Sequence, residues 1–112
     1  MLDYETISYT GDEIMVEKIK EKLQQGPLSI AVSAGNSCWR WYTGGILSEK
    51  DECPTSIDHG VALVGLATSE EGQDYWIVQN SWGTDYGENG FIKLAVETGK
   101  GVSCMNYYAQ FM

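Results

Sequence analysis

The chain has 112 residues, enough for one domain with a hydrophobic core. Its 43% apolar content and four tryptophans are typical of a folded protein. Seven basic and sixteen acidic residues give a net charge of −9, which argues against nucleic acid or an anionic membrane as a partner. The longest apolar run, at 60–67, is much shorter than the ~20 residues that a membrane-spanning helix needs.

Residues 10–26 carry the signals of an amphipathic helix. Thr10 and Glu13 have the spacing of a capping box, and apolar residues recur every four positions behind them. A Gly-Pro pair at 26–27 ends the pattern. The segment therefore predicts one helix whose apolar stripe packs on the core.

Short apolar segments follow this helix, separated by turns rich in Gly, Asp and Ser. The first of them alternates apolar with small residues, as a half-buried strand does. One helix and about six strands predict an α+β domain, with the helix packed on an antiparallel sheet that curls into a barrel. The strand candidates are 28–33, 44–48, 60–67, 74–80, 90–97 and 106–112.

His59 is the only histidine of the chain, so imidazole chemistry can come from no other residue. Taken singly, a histidine at a strand edge is more often structural, Asn80 is typical of a turn, and Trp82 of a core. Together they suit thiol chemistry, because a nucleophilic thiol needs an imidazole base and an Asn oxygen can fix the orientation of that ring. We expect His59 and Asn80 to be neighbours across an antiparallel sheet.

The segments at 56–65, 74–94 and 101–111 resemble the C-terminal half of papain-like, cathepsin-type cysteine proteases. The most specific feature is Asn-Ser-Trp-Gly at 80–83, with the histidine 21 positions before its asparagine. The resemblance covers nearly the whole chain. It implies that residues 1–112 form the right-hand, barrel-like domain of such a protease, and that the N-terminal domain with the nucleophile is absent.

The resemblance also implies a role for each matching residue. His59 matches the catalytic histidine, Asn80 the asparagine that orients it, and Trp82 the tryptophan that shields both. Asp58 matches a position that modulates the thiolate–imidazolium pair without being required for it. Tyr86 stands where the family usually has tryptophan.

Further matches concern the substrate subsites, the loop and the cysteines. The small and apolar residues expected around the S2 subsite favour an apolar P2 side chain, and the loop glycines suit turns with positive φ. A disulfide within this domain implies an oxidising compartment, lysosomal or vacuolar or extracellular. The S2 residues are Ala31, Ile57 and Ala109; the glycines are Gly83, Gly87 and Gly90; the disulfide pairs Cys53 with Cys104.

Cys38 imitates the family nucleophile in the letters Ser-Cys-Trp but not in its context. That nucleophile lies roughly 130–150 residues before its histidine, whereas Cys38 precedes His59 by 21 residues. The first Cys and the Gly of the family pattern are also missing around it. We interpret Cys38 as the thiol left over beside the predicted bridge, and we expect the chain alone to be inactive, since it has neither nucleophile nor oxyanion hole.

Three hypotheses follow. The first is half of a peptidase that acts on peptides or proteins without cofactor or metal and needs the N-terminal domain, in the same or a second chain. The second is a non-enzymatic binding or scaffold domain, whose uncovered cleft wall invites a partner or self-association. The third is a zinc site, but the spacings lack the short Cys-x2–4-Cys pair of structural zinc sites. Its ligands would be Cys38, Cys53, His59 and Cys104.

Overall fold

A computed structural model shows the fold of this chain. For a few of its residues only the backbone is described, namely 6–7, 37 and 109–111. The structure describes residues 6–7, 10–48, 57–83, 86–99, 101–102, 105–106 and 109–111. In chain order the elements are β1 Thr6–Ile7, α1 Glu13–Leu23, β2 Leu28–Val32, α2 Ser37–Arg40, β3 Ile46–Leu47, β4 His59–Thr68, β5 Asp74–Gln79, β6 Phe91–Ala95 and β7 Ala109–Phe111.

In the described part of the chain, seven strands form one sheet in the order β1-β7-β2-β4-β5-β6-β3. All neighbouring strands are antiparallel except β3, which runs parallel to β6. The predicted α+β class, with a helix packed on a mainly antiparallel sheet, is therefore confirmed. A closed barrel would need β1 beside β3, and no such pairing occurs among the described strands.

The helix α1 begins at a different cap from the predicted one. The Asp12 carboxylate accepts a hydrogen bond from the Met15 N–H at 3.0 Å, and the Thr10 hydroxyl donates to the same carboxylate at 2.7 Å. The predicted capping box of Thr10 and Glu13 is thus wrong, because Asp12 directly precedes the first helical residue and takes the cap position. Thr10 supports the cap from outside the helix.

The core lies between α1 and one face of the sheet. Strand β2 alternates buried and half-buried residues along its length, as the period of two predicts. Its buried residues belong to the same cluster as those of α1 and of the three long strands. The larger buried side chains are Met15, Ile19, Leu28, Ile30, Val32, Trp39, Leu63, Trp76, Val78, Ile92, Leu94 and Met105.

Between β2 and β3 the chain forms a single helical turn, α2, in the segment between the strand candidates 28–33 and 44–48. Trp39 and Tyr42 are buried there, while Trp41 between them is 79% exposed. The Arg40 N–H donates to the Asn36 carbonyl at 3.0 Å, which closes the turn. Two of the three aromatic side chains in this segment therefore pack in the core, and the third faces solvent.

Cys38, within α2, is disulfide-bonded. The expectation that it is the odd thiol of the chain is wrong, since its sulfur is committed to a covalent bond. The predicted partners Cys53 and Cys104 lie outside the described residues, and so does the bridge between them. A disulfide sulfur is not a thiolate ligand, which removes Cys38 from the zinc hypothesis.

The described residues contain neither a membrane-spanning helix nor a cluster of metal ligands. No helix in them is long and apolar enough to cross a membrane. They also hold no group of three or more His, Cys, Asp or Glu side chains with the arrangement of a metal site.

Candidate active site

The start of β4 and the end of β5 bring His59 beside Asn80. The two strands are antiparallel, with Ala62 opposite Gln79, so the first residue of β4 lies near the residue that follows β5. The distance from His59 Nε2 to Asn80 Oδ1 is 3.1 Å. His59 is half-buried and Asn80 is 6% exposed. The imidazole and the carboxamide therefore form a hydrogen bond that is partly sheltered from water.

A neighbouring backbone group defines the orientation of the Asn80 carboxamide. The Ser81 N–H donates to Asn80 Oδ1 at 2.8 Å. Because a backbone N–H can only donate, the acceptor must be the oxygen and not the amide nitrogen. His59 Nε2 therefore also donates to this oxygen, and in the neutral ring Nδ1 is the nitrogen that can accept a proton.

Trp82 covers the imidazole and is itself held by two other rings. It stacks on His59 with a centroid distance of 5.6 Å and an interplanar angle of 30°. Trp39 and Tyr86 meet Trp82 edge-on at 6.5 Å and 5.0 Å. Trp82 remains 42% exposed. This stack suits a protonated imidazole, because an aromatic face attracts a cation.

The loop between β5 and β6 is closed by backbone hydrogen bonds around Gly90. The Asn80 N–H donates to the Gly90 carbonyl at 3.0 Å, and the Gly90 N–H donates to the Tyr86 carbonyl at 2.7 Å. The prediction that Gly83, Gly87 and Gly90 adopt positive φ is confirmed, with angles of 92°, 53° and 92°. The loop thus fixes the backbone of Asn80 relative to the aromatic rings.

Asp58 directs its carboxylate away from the histidine that follows it, toward the turn before α2. Its oxygens accept hydrogen bonds from the Ala34 N–H at 2.9 Å and the Gly35 N–H at 3.1 Å. Its own N–H donates to the Val32 carbonyl at 3.0 Å. Through these hydrogen bonds Asp58 acts as a clamp, because it joins the β2–α2 turn to the start of β4.

Two of the three residues expected around the S2 subsite lie on the adjacent strands β2 and β7. Ala31 on β2 is opposite Gly60, one step from the Val32–His59 pair. Ala109 on β7 is opposite Ile30 on the other side of β2. Ile57, two residues before His59, is half-buried, as is Ala31. The register therefore places Ala31 next to the histidine pair, and it places the backbone of Ala109 on the far side of β2 from β4.

The sequence reasoning did not assign Trp39 and Tyr42 to the site, yet both support it. The Tyr42 ring packs on Tyr86 with a centroid distance of 6.2 Å. Its hydroxyl donates to Glu88 at 3.0 Å and accepts from the Lys93 N–H at 3.3 Å. Burial raises the pKa of this hydroxyl well above its usual value. The only sequence signal was the aromatic spacing of the segment 39–42.

Comparison with known sequences shows which proteins share this pattern. Residues 2–110 match the family described as papain family cysteine protease. The chain is 45% identical over 86 residues to a cathepsin L-like peptidase of Aedes aegypti, which covers 76% of this chain and 24% of the relative. It is 47% identical over 78 residues to a probable cysteine protease, RD21C, of Arabidopsis thaliana, covering 70% and 17%.

Solved structures share the fold. The bromelain protease from Ananas comosus, in complex with the E64 inhibitor, superposes with a TM-score of 0.84 and 27% identity over 96% of this chain and 48% of bromelain. A digestive procathepsin L 3 of Tenebrio molitor gives 0.80 and 30%, over 96% and 34%. The chain spans about a quarter or less of the curated relatives named above. By sequence and fold, the chain belongs to the papain family of cysteine proteases.

Proposed function

We propose that this chain supplies the histidine–asparagine half of a cysteine peptidase active site. The observation that carries the proposal is the hydrogen bond of 3.1 Å from His59 Nε2 to Asn80 Oδ1, which leaves Nδ1 as the proton acceptor. In this proposal residues 1–112 are the right-hand domain, and a separate N-terminal domain, in the same or a second chain, brings the thiol. The match of the chain to only part of its relatives supports this division.

In the proposed reaction, Nδ1 of His59 takes the proton of the thiol, and the thiolate attacks the carbonyl carbon of a peptide bond. The imidazolium then gives this proton to the leaving amine, and an acyl-enzyme forms. Water activated by His59 hydrolyses the acyl-enzyme and restores the thiol. Asn80 holds the ring through both steps, while Trp82 shields the pair and stabilises the imidazolium.

The finer assignments are part of the same proposal. The substrate is a peptide or protein with an apolar P2 side chain, bound beside Ala31, Ile57 and Ala109; the pairing of Ala31 with Gly60, next to the Val32–His59 pair, supports the role of Ala31. Asp58 acts on the ion pair indirectly, through its clamp on the β2–α2 turn. The cellular site is a lysosome, a vacuole or the extracellular space, where thiol proteases of this kind and disulfides are both stable.

The test combines the chain with the N-terminal domain of a papain-family protease. We expect no hydrolysis of a fluorogenic peptide by the isolated chain under thiol reductant. In the mixture we expect turnover, together with covalent labelling of the added domain by an epoxide inhibitor of thiol proteases. His59→Ala should abolish turnover, and Asn80→Ala should reduce it by about tenfold or more, since an unoriented imidazole is a poor base. Turnover by the isolated chain that disappears in Cys38→Ser would contradict the proposal.

One observation favours the alternative, a non-enzymatic binding or scaffold domain. Trp82 and Trp41 are 42% and 79% exposed, more than such large apolar side chains usually are in a stable monomer. A domain of this kind would associate with a partner or with itself through these rings. Sedimentation velocity over a range of concentrations distinguishes the two functions: self-association that is lost in Trp82→Ala, without labelling in the mixture above, supports the alternative.

A further inference from the structure

The hydroxyl of Tyr86 is an unusual polar group in the aromatic cluster beside the site. Tyr86 is only 9% exposed, and Asn80 only 6%. Among the described residues, neither the Tyr86 hydroxyl nor Asn80 Nδ2 has a hydrogen-bond partner, although both atoms are buried. A buried polar group without a partner is costly, so two of them at one place need an explanation.

The backbones of the two residues are joined through one glycine. Gly90 joins their backbones, because its carbonyl accepts from the Asn80 N–H and its N–H donates to the Tyr86 carbonyl. Burial raises the pKa of Tyr86 to about 12, and the interaction with the Asn80 side chain partly offsets that increase. Such an offset is the effect of an N–H donor directed at the phenol oxygen, because it stabilises the phenolate.

The chemistry of the carboxamide explains why this donor faces Tyr86. Asn80 Oδ1 already accepts from Ser81 and is bonded to His59, so this end of the carboxamide is occupied. The NH₂ end must then point elsewhere and needs an acceptor. A tyrosine hydroxyl can accept, whereas the indole N–H of tryptophan can only donate.

We propose that Tyr86 is a positioning residue for the imidazole: its hydroxyl accepts a hydrogen bond from Asn80 Nδ2 and so keeps Oδ1 directed at His59 Nε2. This inference rests on the proposed role of the His59–Asn80 pair, but it goes further by adding a third member. Rotation of the carboxamide by 180° would place Nδ2 against the Ser81 N–H and would remove the acceptor from His59. Tyr86 acts against that rotation.

The test uses the fact that His59 is the only histidine, so its imidazole nitrogens can be observed without overlap by NMR of the ¹⁵N-histidine-labelled chain. Above the imidazole pKa, the ¹⁵N shifts report the ratio of the Nε2–H to the Nδ1–H tautomer. We expect Nε2–H to dominate in the wild-type chain. In Tyr86→Phe we expect this ratio to fall roughly twofold to tenfold, the range that one net hydrogen bond spans. Tyr86→Trp, which fills the space but offers no acceptor, should behave in the same way.

Tyr42→Phe is the matched control, because it removes a buried hydroxyl of the same cluster that bonds to Glu88 and not to Asn80. It should leave the tautomer ratio unchanged. An equal change in Tyr42→Phe and Tyr86→Phe would overturn the inference, since it would indicate general loosening. An unchanged ratio in Tyr86→Phe with an altered ratio in Asn80→Ala would also overturn it but would leave the proposed function intact. An unchanged ratio in Asn80→Ala would contradict the proposed function itself.

Discussion

The carboxylate of Asp58 shows how a single side chain joins two segments of the site. It accepts two backbone N–H groups of the β2–α2 turn while its own backbone starts the segment that carries His59. A side chain added at Gly35 would collide with this carboxylate. The absence of a side chain at Gly35 leaves room for the Asp58 carboxylate, and these hydrogen bonds fix the β2–α2 turn relative to the histidine.

We predict that Asp58→Ala lowers the free energy of unfolding by about 1–3 kcal/mol, because two backbone donors lose a charged acceptor. Asp58→Asn should cost less, since an amide oxygen can still accept. Urea unfolding followed by tryptophan fluorescence measures both. Glu70→Ala, in the exposed β4–β5 turn, is the control and should be close to neutral; a loss in Asp58→Ala no larger than in this control would show that the clamp contributes nothing.

Gly87 offers a second prediction at the scale of one residue. Its φ is 53°, and a β-carbon there would lie 2.6 Å from the Phe91 carbonyl oxygen and 2.8 Å from the Tyr42 ring. Gly72 also has a positive φ, of 85°, but the space around it is open. We expect Gly72→Ala to cost about 1 kcal/mol for its backbone conformation alone and Gly87→Ala to cost distinctly more in urea unfolding. An equal loss of unfolding free energy in the two variants would show that a β-carbon at Gly87 does not clash with Phe91 or Tyr42.

At the scale of elements, the charge on Asp12 links the stability of α1 to pH. Hydrogen bonds from the Met15 N–H and the Thr10 hydroxyl hold the pKa of Asp12 below its usual value of 3.8. The charged form therefore stabilises the fold fully above pH ~4, and this stabilisation is lost as pH falls through the lower pKa of the folded state. The negative charge of Asp12 also interacts favourably with the helix dipole, because Asp12 lies at the N-terminus of α1.

We predict that Asp12→Asn lowers the thermal unfolding midpoint by a few degrees at pH 7, because the charge is lost while an oxygen for the cap remains. The difference from the wild-type chain should decrease as pH falls below ~4, and it should disappear once Asp12 is protonated at its lowered pKa. Calorimetry across this range measures it. A difference that persists at pH 2 would mean that the charge is not its cause; Glu71→Gln, in an exposed turn, controls for net charge.

Elements with a long repeating pattern were predicted well, and short or non-local ones were not. The helix predicted at 10–26 is Glu13–Leu23, and the strand predicted at 60–67 is His59–Thr68. The single turn α2 and the two-residue strand β1 are too short to show a period. The parallel pairing of β3 with β6 joins segments more than forty residues apart, which no local pattern encodes.

The same distinction applies to the site. The proximity of His59 and Asn80 could be inferred because each stands at a strand end and the chain has one histidine. The contact of Asp58 with Gly35 and the edge-on packing of Tyr86 on Trp82 could not, because both depend on how turns place side chains in space. The direction of a side chain within a loop depends on tertiary packing, whereas the ends of strands can be recognised from the sequence pattern.

At the scale of the whole molecule, the cysteines connect α2 to the rest of the fold. The chain has three cysteines, and the structure commits Cys38 to a disulfide. The family resemblance instead pairs Cys53 with Cys104 and leaves Cys38 reduced. One chain with three cysteines can form only one of these arrangements at a time. In the first arrangement a disulfide attaches α2 to another segment of the chain. In the second arrangement α2 has no covalent link of this kind.

We predict that Cys38→Ala lowers the free energy of unfolding by about 2–4 kcal/mol under non-reducing conditions, the usual contribution of one disulfide. In this variant a reductant should cause little further loss, whereas it should destabilise the wild-type chain by a similar amount. Urea unfolding with and without reductant measures both differences. Non-reducing digestion after alkylation should find Cys38 in the linked peptide. An alkylated Cys38, together with a Cys38→Ala variant that reductant still destabilises, would establish the family pairing and would leave α2 held by packing alone.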